Sequence, residues 1–246
     1  MCERGIHMIK AVIFDLDGTL YDYNTLDREA FMAVEELVLE KIGVTEKQYE
    51  EAFGRAKREV KKVLSDVAAS HNRMLYFQKT MEFLDIRPLF LTLEMYETYW
   101  ETFMEKMVLY PGARAFLDEM YERHIRIGIC SDMMARTQHR KLVALGLQDD
   151  IDCLVTSEEA GVEKPSLGIY ELCLGKLRLK PEEVCFVGDT YKKDVKGPME
   201  MGMRAVWFCP EEEEALKQGV EENSCDKVSN FEELQELFDS KILAEG

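Results

Sequence analysis

Basic side chains are scarce in this 246-residue chain relative to acidic ones. The sequence has 31 Lys and Arg against 48 Asp and Glu, which gives a formal net charge of −17 at pH 7. Attraction to a nucleic-acid backbone or an anionic membrane depends on positive protein charge, which is in deficit here. We therefore expect neither a nucleic-acid polymer nor a membrane as a partner. The acidic run at residues 211–214 predicts a solvated helix start or loop.

Long apolar runs and paired cysteines are also missing. No stretch approaches the roughly 18 uncharged apolar residues of a membrane span, and Glu3, Arg4 and His7 stand where a signal peptide would be apolar. The seven cysteines include no Cys-x-x-Cys pair and no Cys/His cluster at zinc spacing, which argues against a disulfide scaffold or a structural zinc site. We expect a cytosolic protein whose reduced thiols pack as small hydrophobic side chains.

The hydrophobic residues, 46% of the chain, are spaced as in an α/β protein. Short apolar runs without alternation predict buried parallel strands at residues 11–14, 125–130, 184–187 and 205–208, with a weaker one at 153–156. Helical patterns stand before and between the later strands, at residues 113–122, 135–145, 167–177 and 194–201. This alternation predicts a doubly wound, Rossmann-like parallel sheet.

Residues 21–108 have a different pattern, with helical periodicity and no convincing strand. Apolar residues recur every three or four positions in four stripes, at residues 30–42, 49–67, 74–84 and 93–107. We predict a four-helix cap domain, residues 21–108, inserted into a core domain of residues 9–20 and 109–240. Such a cap would cover the carboxyl edge of the sheet, where open α/β sheets bind ligands.

Acidic residues stand where two of the predicted strands end. Asp15 and Asp17 follow the first strand in the motif D-L-D-G-T, in which Gly18 can turn the chain sharply. A D-x-D-G-T motif arises by chance on the order of once per 10⁵ positions. Asp189 and Asp194 follow a later strand, so carboxylates from two strand ends should converge at one sheet edge.

Converging carboxylates stay ionised only beside a cation. An all-oxygen site with few protein ligands and a substrate phosphate nearby suits Mg²⁺, so we expect Mg²⁺ and an anionic substrate. Ser131 offers a hydroxyl at a strand end before a helix, where amides can hold an anion, although such a serine is usually only a cap. Lys164, followed by Pro165, is another candidate, although a lone lysine is usually just solvated.

In their order along the chain, these motifs resemble those of the haloacid dehalogenase superfamily, in the branch with a helical cap after the first strand. D-L-D-G-T matches the first family motif, Ser131 the second, Lys164 the third, and G-D-T-Y-K-K-D at residues 188–194 the fourth. The resemblance covers residues 9–238. It is highly specific for the superfamily and poorly specific for the substrate.

The resemblance implies that Asp15 is the nucleophile and Asp17 the general acid and base. It also implies that Mg²⁺ is bound by the side chains of Asp15 and Asp189 and by the backbone carbonyl of Asp17, with Asp194 supporting the metal shell. The residues expected to hold the phosphoryl oxygens are Ser131, Asp132, Lys164, Gly18 and Thr19. Because Asp132 stands where many relatives have asparagine, we expect its backbone N–H rather than its charged side chain to serve phosphate.

These roles are chemically consistent with a phosphatase. A carboxylate attacks phosphorus only if the phosphoryl charge is neutralised, which Mg²⁺ and Lys164 would do, giving an aspartyl-phosphate. Asp17 could then protonate the departing alkoxide and later take a proton from water. We expect a Mg²⁺-dependent phosphatase acting on a small phosphorylated metabolite such as a sugar phosphate, phosphoglycolate or a nucleoside monophosphate.

Other functions remain open at this stage. A phosphomutase of the beta-phosphoglucomutase type would use the same nucleophile. A haloacid dehalogenase is disfavoured by Asp17, because a halide leaves without a proton. A phosphonate hydrolase would need a cap lysine forming a Schiff base, and no cap lysine is singled out. An idle interaction module is disfavoured because Asp15, Asp17, Asp189 and Lys164 are all present.

The choice of substrate would rest with the cap, but the facing of its side chains is not evident from the sequence. The polar cap residues considered for this role are Tyr21, Tyr23, Arg55, Arg58, His71, Arg73 and Lys79. Long charged side chains on helices are most often merely solvated. The sequence therefore leaves the substrate and the oligomeric state open.

Overall fold

A computed structural model of the chain describes residues 8–65, 67–210 and 225–243. Its sheet has six strands in the order β3-β2-β1-β4-β5-β6, and every neighbouring pair is parallel. The strands are β1 (Ala11–Phe14), β2 (Arg126–Ser131), β3 (Cys153–Thr156), β4 (Val184–Gly188), β5 (Arg204–Phe208) and β6 (Asp226–Val228). The chain starts in the middle of the sheet and winds outwards in both directions, so the predicted doubly wound fold is confirmed.

Helices lie between successive strands from β1 to β5, and five of them stand between β1 and β2. The first four are α1 (Tyr23–Ile42), α2 (Glu46–Val63), α3 (Arg73–Phe83) and α4 (Thr92–Glu105). The others are α5 (Ala113–Glu122), α6 (Ala135–Ala144), α7 (Ser157–Ala160), α8 (Leu167–Leu177), α9 (Gly197–Glu200) and α10 (Phe231–Leu237). Short 3₁₀ segments are Ala68–His71, Pro88–Phe90 and Pro181–Glu183, and π-helical turns are Tyr191–Lys196 and Phe238–Ile242.

The central strand β1 is covered on both faces, which explains its unbroken apolar sequence. All four of its residues are fully buried. Val12 and Phe14 belong to an apolar cluster with α5, α6 and α10, whereas Ala11 and Ile13 belong to a cluster with α8. The residue that follows β1 is therefore held at the middle of the carboxyl edge of the sheet.

Two parts of the chain differ from the sequence-based prediction. The strand β6 was not predicted, because its sequence Asp-Lys-Val has no apolar run and it is defined by backbone pairing with β5. The stretch predicted as a helix at residues 194–201 is helical, but it starts earlier, as the π-helical turn Tyr191–Lys196, and only then continues as α9. The acidic run at 211–214 lies outside the described residues.

Each of the four predicted stripes corresponds to a helix, and the helix ends have chemical causes. The Asp22 side chain caps α1 by accepting from the Thr25 N–H, and Gly43 ends the helix at a φ of 74°. Thr45 and Gln48 form a capping box at the start of α2. Three predicted members of the stripes, Val63, Val67 and Leu93, are exposed instead.

Aromatic rings hold these four helices together. Phe31 of α1 lies 4.8 Å from the ring centroid of Phe53 of α2 and 4.8 Å from that of Tyr99 of α4. The two connections to the sheet run side by side, since the Tyr110 N–H donates to the Leu20 carbonyl at 2.9 Å. In the described ranges, no helix combines the length and apolar character needed to cross a membrane.

Two glycine substitutions test which of two positions is tightly packed. A Cβ on Gly188 would overlap the side chain of Asp194, so we expect Gly188→Ala to destabilise the protein by about 1–3 kcal/mol through overpacking. Gly175 is an exposed position of α8 where a Cβ meets nothing within 4 Å, so Gly175→Ala should add about 0.5–1 kcal/mol. Urea denaturation of both variants measures these changes, and equal midpoints would contradict the assignment.

Candidate active site

Three carboxylates from two strand ends meet at the carboxyl edge of the sheet. Asp15 follows β1, Asp189 follows β4, and Asp194 lies in the π-helical turn beyond it. Each offers an oxygen within 4.8 Å of the others. The loop after β1 passes close to Asp189 because Gly18 lacks a side chain: a Cβ there would lie 2.7 Å from Asp189 Oδ2. The parallel strands thus bring together acids that are far apart in sequence.

Lys164 bridges two of these acids. Its Nζ lies 2.7 Å from Asp15 Oδ1 and 2.6 Å from Asp194 Oδ1, and its side chain is 2% exposed. Burial lowers the pKa of Lys164, but the charges of Asp15 and Asp194 outweigh burial and hold the pKa well above its ordinary value. The ammonium group is therefore charged and fixed beside Asp15. The Thr190 N–H donates to Asp194 Oδ2 at 2.9 Å and holds that carboxylate from its other side.

One ammonium does not balance three carboxylates. Burial raises the pKa of Asp15 well above its ordinary value; Lys164 opposes the rise, whereas Asp194 and Asp189 add to it. Burial and the charge of Asp194 raise the pKa of Asp189 to about 7. Carboxyl groups with raised pKa values and oxygen atoms at close range fit a hard divalent cation. The acidic cluster is thus suited to hold a metal ion.

Asp17 lies two residues from Asp15 but is paired elsewhere. Lys141 Nζ lies 2.6 and 2.8 Å from the two Asp17 carboxylate oxygens, and the hydroxyl of Tyr21 also donates to Asp17. Burial alone would raise the pKa of Asp17. The charge of Lys141 and the hydrogen bonds from Lys141, Tyr21 and Gln138 outweigh burial, so the pKa is lowered. The Asp17 side chain is ionised in this geometry and stands outside the three-carboxylate cluster.

Lys141 was not among the residues predicted for the site. It lies on α6 and is fully buried, and its Nζ is 5.4 to 5.9 Å from the centroids of four aromatic rings. Those rings belong to Tyr21, Tyr23, Trp100 and Phe103. The sequence did contain one signal, because the spacing of Lys141, Gln138, Leu142 and Leu145 places them on one helix face. All four are buried in the structure. A lysine within an apolar stripe needs a buried partner.

Ser131 and Asp132 stand at the end of β2, beside the cluster. The Ser131 hydroxyl oxygen accepts from Gln138 Nε2 at 2.6 Å and is almost fully buried. Asp132 Oδ1 accepts from the backbone N–H of Lys164 at 2.8 Å, and Oδ2 lies 2.8 Å from Lys193 Nζ. The Asp132 side chain therefore anchors the Lys164 loop.

A cavity of about 410 Å³ connects this edge of the sheet with α1, α2 and α3. Its lining on the sheet side includes Asp15, Asp17, Ser131, Asp132, Lys164, Asp189 and Asp194. Of the cap residues considered from the sequence, Tyr23, His71 and Arg73 line it. Gly18 and Thr19 are not part of the described lining, and Thr19 is fully buried. The predicted contact of these two residues with phosphate stays a prediction.

Comparisons with known proteins identify the family and the fold of this chain. A family model described as haloacid dehalogenase-like hydrolase matches residues 9–202. A ribulose-1,5-bisphosphate 5-phosphatase of Halopiger xanaduensis is 33% identical over 237 residues, which is 94% of this chain and 99% of that protein. A glyceraldehyde 3-phosphate phosphatase of Methanothermobacter thermautotrophicus is 29% identical over 233 residues, 94% and 100% of the two chains. A HAD phosphatase from Thermococcus onnurineus has a TM-score of 0.72 at 24% identity, covering 94% and 98%.

The ion pair of Asp17 and Lys141 gives a stability prediction. Lys141→Met keeps the length of the side chain but leaves the Asp17 carboxylate buried without its cation, so we expect a loss of about 3–5 kcal/mol. The double variant Asp17→Asn/Lys141→Met removes both charges and should recover most of that loss. Urea denaturation at pH 7 measures both variants. A single variant as stable as wild type would show that the pair is not ionised.

Proposed function

Because this chain belongs to the haloacid dehalogenase-like hydrolase family, we propose that it is a phosphatase that hydrolyses a small phosphorylated metabolite through a phosphoryl group on Asp15. The observation that carries this proposal is the Asp15 carboxylate, held by Lys164 within an acidic cluster that lines a cavity. The names of the two relatives favour a sugar phosphate, although one name describes a substrate with two phosphates and the other a substrate with one.

The acidic cluster is proposed to hold Mg²⁺ through Asp15 and Asp189, with the Asp17 backbone carbonyl as a further ligand and Asp194 beside them. The all-oxygen donor set and the raised pKa values of Asp15 and Asp189 support this choice. When bound, Mg²⁺ would offset the negative charge of the phosphoryl oxygens and of the carboxylates around them.

The side chains of this site would carry two displacements. An Asp15 oxygen attacks phosphorus and forms an acyl phosphate, while the bond from phosphorus to the metabolite oxygen breaks and the alkoxide takes a proton from Asp17. Water then attacks phosphorus and gives a proton to Asp17, which releases inorganic phosphate and regenerates the Asp15 carboxylate. Lys164 would stabilise the phosphoryl charge in both steps.

Asp17 must change its protonation state during this cycle. The form paired with Lys141 is ionised and is suited to accept a proton from water in the second step. The first step needs the protonated form of Asp17. Asp17 must therefore give up its hydrogen bonds with Lys141 and take up a proton before the alkoxide leaves. We propose that this exchange accompanies substrate binding.

Residues 21–108 are proposed to act as a cap on a core of residues 9–20 and 109–240. Two observations support this division. The bundle is attached through two adjacent connections, joined by the hydrogen bond from Tyr110 to Leu20. It also contacts the core beside the site, where His71 Nε2 lies 3.0 Å from Glu163 Oε1. Movement of such a cap would admit substrate and then exclude water.

The proposed nucleophile and metal site are tested together. Phosphate release from sugar phosphates should stop on chelation and return with Mg²⁺, and Asp15→Asn should lower the rate on the order of 10⁴-fold or more with the fold intact. Asp149→Asn, at an exposed carboxyl of the core, is the matched control and should leave the rate unchanged. Release that survives metal removal would reject the mechanism, and an isomerised sugar phosphate without phosphate release would identify a phosphomutase.

The proton-transfer role of Asp17 has its own test. Asp17→Asn should slow turnover of a sugar phosphate by roughly 10²- to 10⁴-fold, because the alkoxide then leaves without a proton. An aryl phosphate, whose phenolate leaves readily, should still phosphorylate Asp15 and show a burst of phenolate before slow turnover. Rapid-mixing kinetics measure both, with Asp17→Asn/Lys141→Met as a control for the unpaired lysine. Equal losses without a burst would assign Asp17 to positioning alone.

A further inference from the structure

Two lysines of α2 line the cavity without a carboxylate partner. Lys57 and Lys61 are one helical turn apart and both line the cavity from the side of the four helices. Among the residues that the structure describes, neither forms an ion pair. The cavity is thus lined by carboxylates from the sheet side and, from α2, by ammonium groups that no described carboxylate pairs, although Lys57 Nζ lies 5.6 Å from the ring centroid of Phe31.

Most other lysines of the same four-helix segment are paired. Lys41 pairs with Glu94, Lys79 with Glu82 at 2.8 Å, and Lys106 with Glu29 at 2.7 Å. A chain with 48 acidic and 31 basic residues offers a partner to most surface lysines. Among the described residues Lys62 also lacks an ion pair, but it lies outside the described cavity lining, so Lys57 and Lys61 are distinguished by combining an unpaired ammonium group with a place on the cavity wall.

The one acid of the helical lining, among the described residues, is engaged by other groups. Asp27 Oδ1 accepts from Arg73 Nη2 at 2.9 Å, from the Tyr23 hydroxyl at 3.0 Å and from the Tyr99 hydroxyl. Arg73 therefore balances the charge of Asp27. Lys57 and Lys61 remain as excess positive charge on this wall.

Arg73 provides an independent observation that indicates a ligand. Its side chain is 5% exposed and lines the cavity, and its Nε–H has no hydrogen-bond partner in the described part of the chain. Buried donors without partners are rare in folded proteins. Burial lowers the pKa of Lys57; Asp27 opposes this shift, and Lys61 and Arg73 add to it, as expected where cations crowd together. An anion bound at this wall would relieve the repulsion among these cations.

We propose that Lys57 and Lys61, backed by Arg73, form a second anion-binding subsite, so that preferred substrates carry a phosphate or carboxylate group in addition to the phosphoryl group that is transferred. This inference rests on the proposed function, in which the acidic cluster and Lys164 receive the transferred phosphoryl group. A cavity of about 410 Å³ has room for a small metabolite with two such groups. The subsite orients the metabolite by its second charge.

Matched ligand pairs test the subsite. Ribulose 1,5-bisphosphate and ribulose 5-phosphate differ by a phosphate, and 3-phosphoglycerate and glycerol 3-phosphate differ by a carboxylate. Calorimetric titration of the non-turnover variant Asp15→Asn should show roughly tenfold or tighter binding of the doubly anionic member of at least one pair, and the pair that responds identifies the second group. Equal affinities within both pairs would overturn the proposal.

Cap variants then locate the preference. Lys57→Ala and Lys61→Ala, each in the Asp15→Asn background, should reduce the within-pair preference about tenfold, whereas Lys57→Arg should keep it. Lys62→Ala is the matched control, because Lys62 is an exposed neighbour on α2 outside the described cavity lining. A preference unchanged by Lys57→Ala and Lys61→Ala would also overturn the subsite. These titrations need no turnover, so an absence of phosphate release would count against the proposed function alone.

Discussion

The site depends on one buried ion bridge, in which the ammonium group of Lys164 lies between Asp15 and Asp194. The parallel sheet delivers the carboxylates to one edge, where they would otherwise repel one another. Lys164 is nearly without solvent contact, and its loop is held by Asp132 through the backbone N–H. The geometry around Asp15 is therefore determined by charge balance between segments that are distant in sequence. The negative charge that Lys164 leaves unbalanced makes the cluster suited to a cation.

Two aspartates separated by one residue acquire opposite electrostatic environments. Burial and, after it, the neighbouring carboxylates raise the pKa of Asp15. Asp17 is also buried, but the charge of Lys141 and hydrogen bonds from Lys141, Tyr21 and Gln138 lower its pKa. Pairs of titratable groups whose surroundings separate their pKa values are typical of sites that divide nucleophilic and proton-transfer roles. The short loop after β1 is thus able to offer two chemically different carboxyl groups to one cavity.

The helical bundle is linked to the chemistry of the sheet edge by direct contacts. Lys141, which pairs with Asp17, is enclosed by aromatic rings that include Trp100 and Phe103 of α4. His71 reaches Glu163, the neighbour of Lys164. Asp15 and Asp17 are therefore each linked to the bundle through a lysine, Asp15 through Lys164 and Asp17 through Lys141. The proposed movement of the bundle would bring the two unpaired lysines of α2 to the substrate at the same time as it completes the site.

The sequence by itself determined the elements whose cause is local. The sequence shows the apolar run of β1, the periodicity of α5 and α8 and the motif D-L-D-G-T. The sheet and the residues at its carboxyl edge could therefore be predicted. Tertiary structure alone decided β6, which exists through backbone pairing with β5, and the partner of Lys141, which is 124 residues away in sequence. It also decided which cap lysines face the cavity. The local sequence pattern indicates which hydrophobic residues are buried. The pairing of charges depends instead on which distant segments the fold brings within a few ångströms of each other.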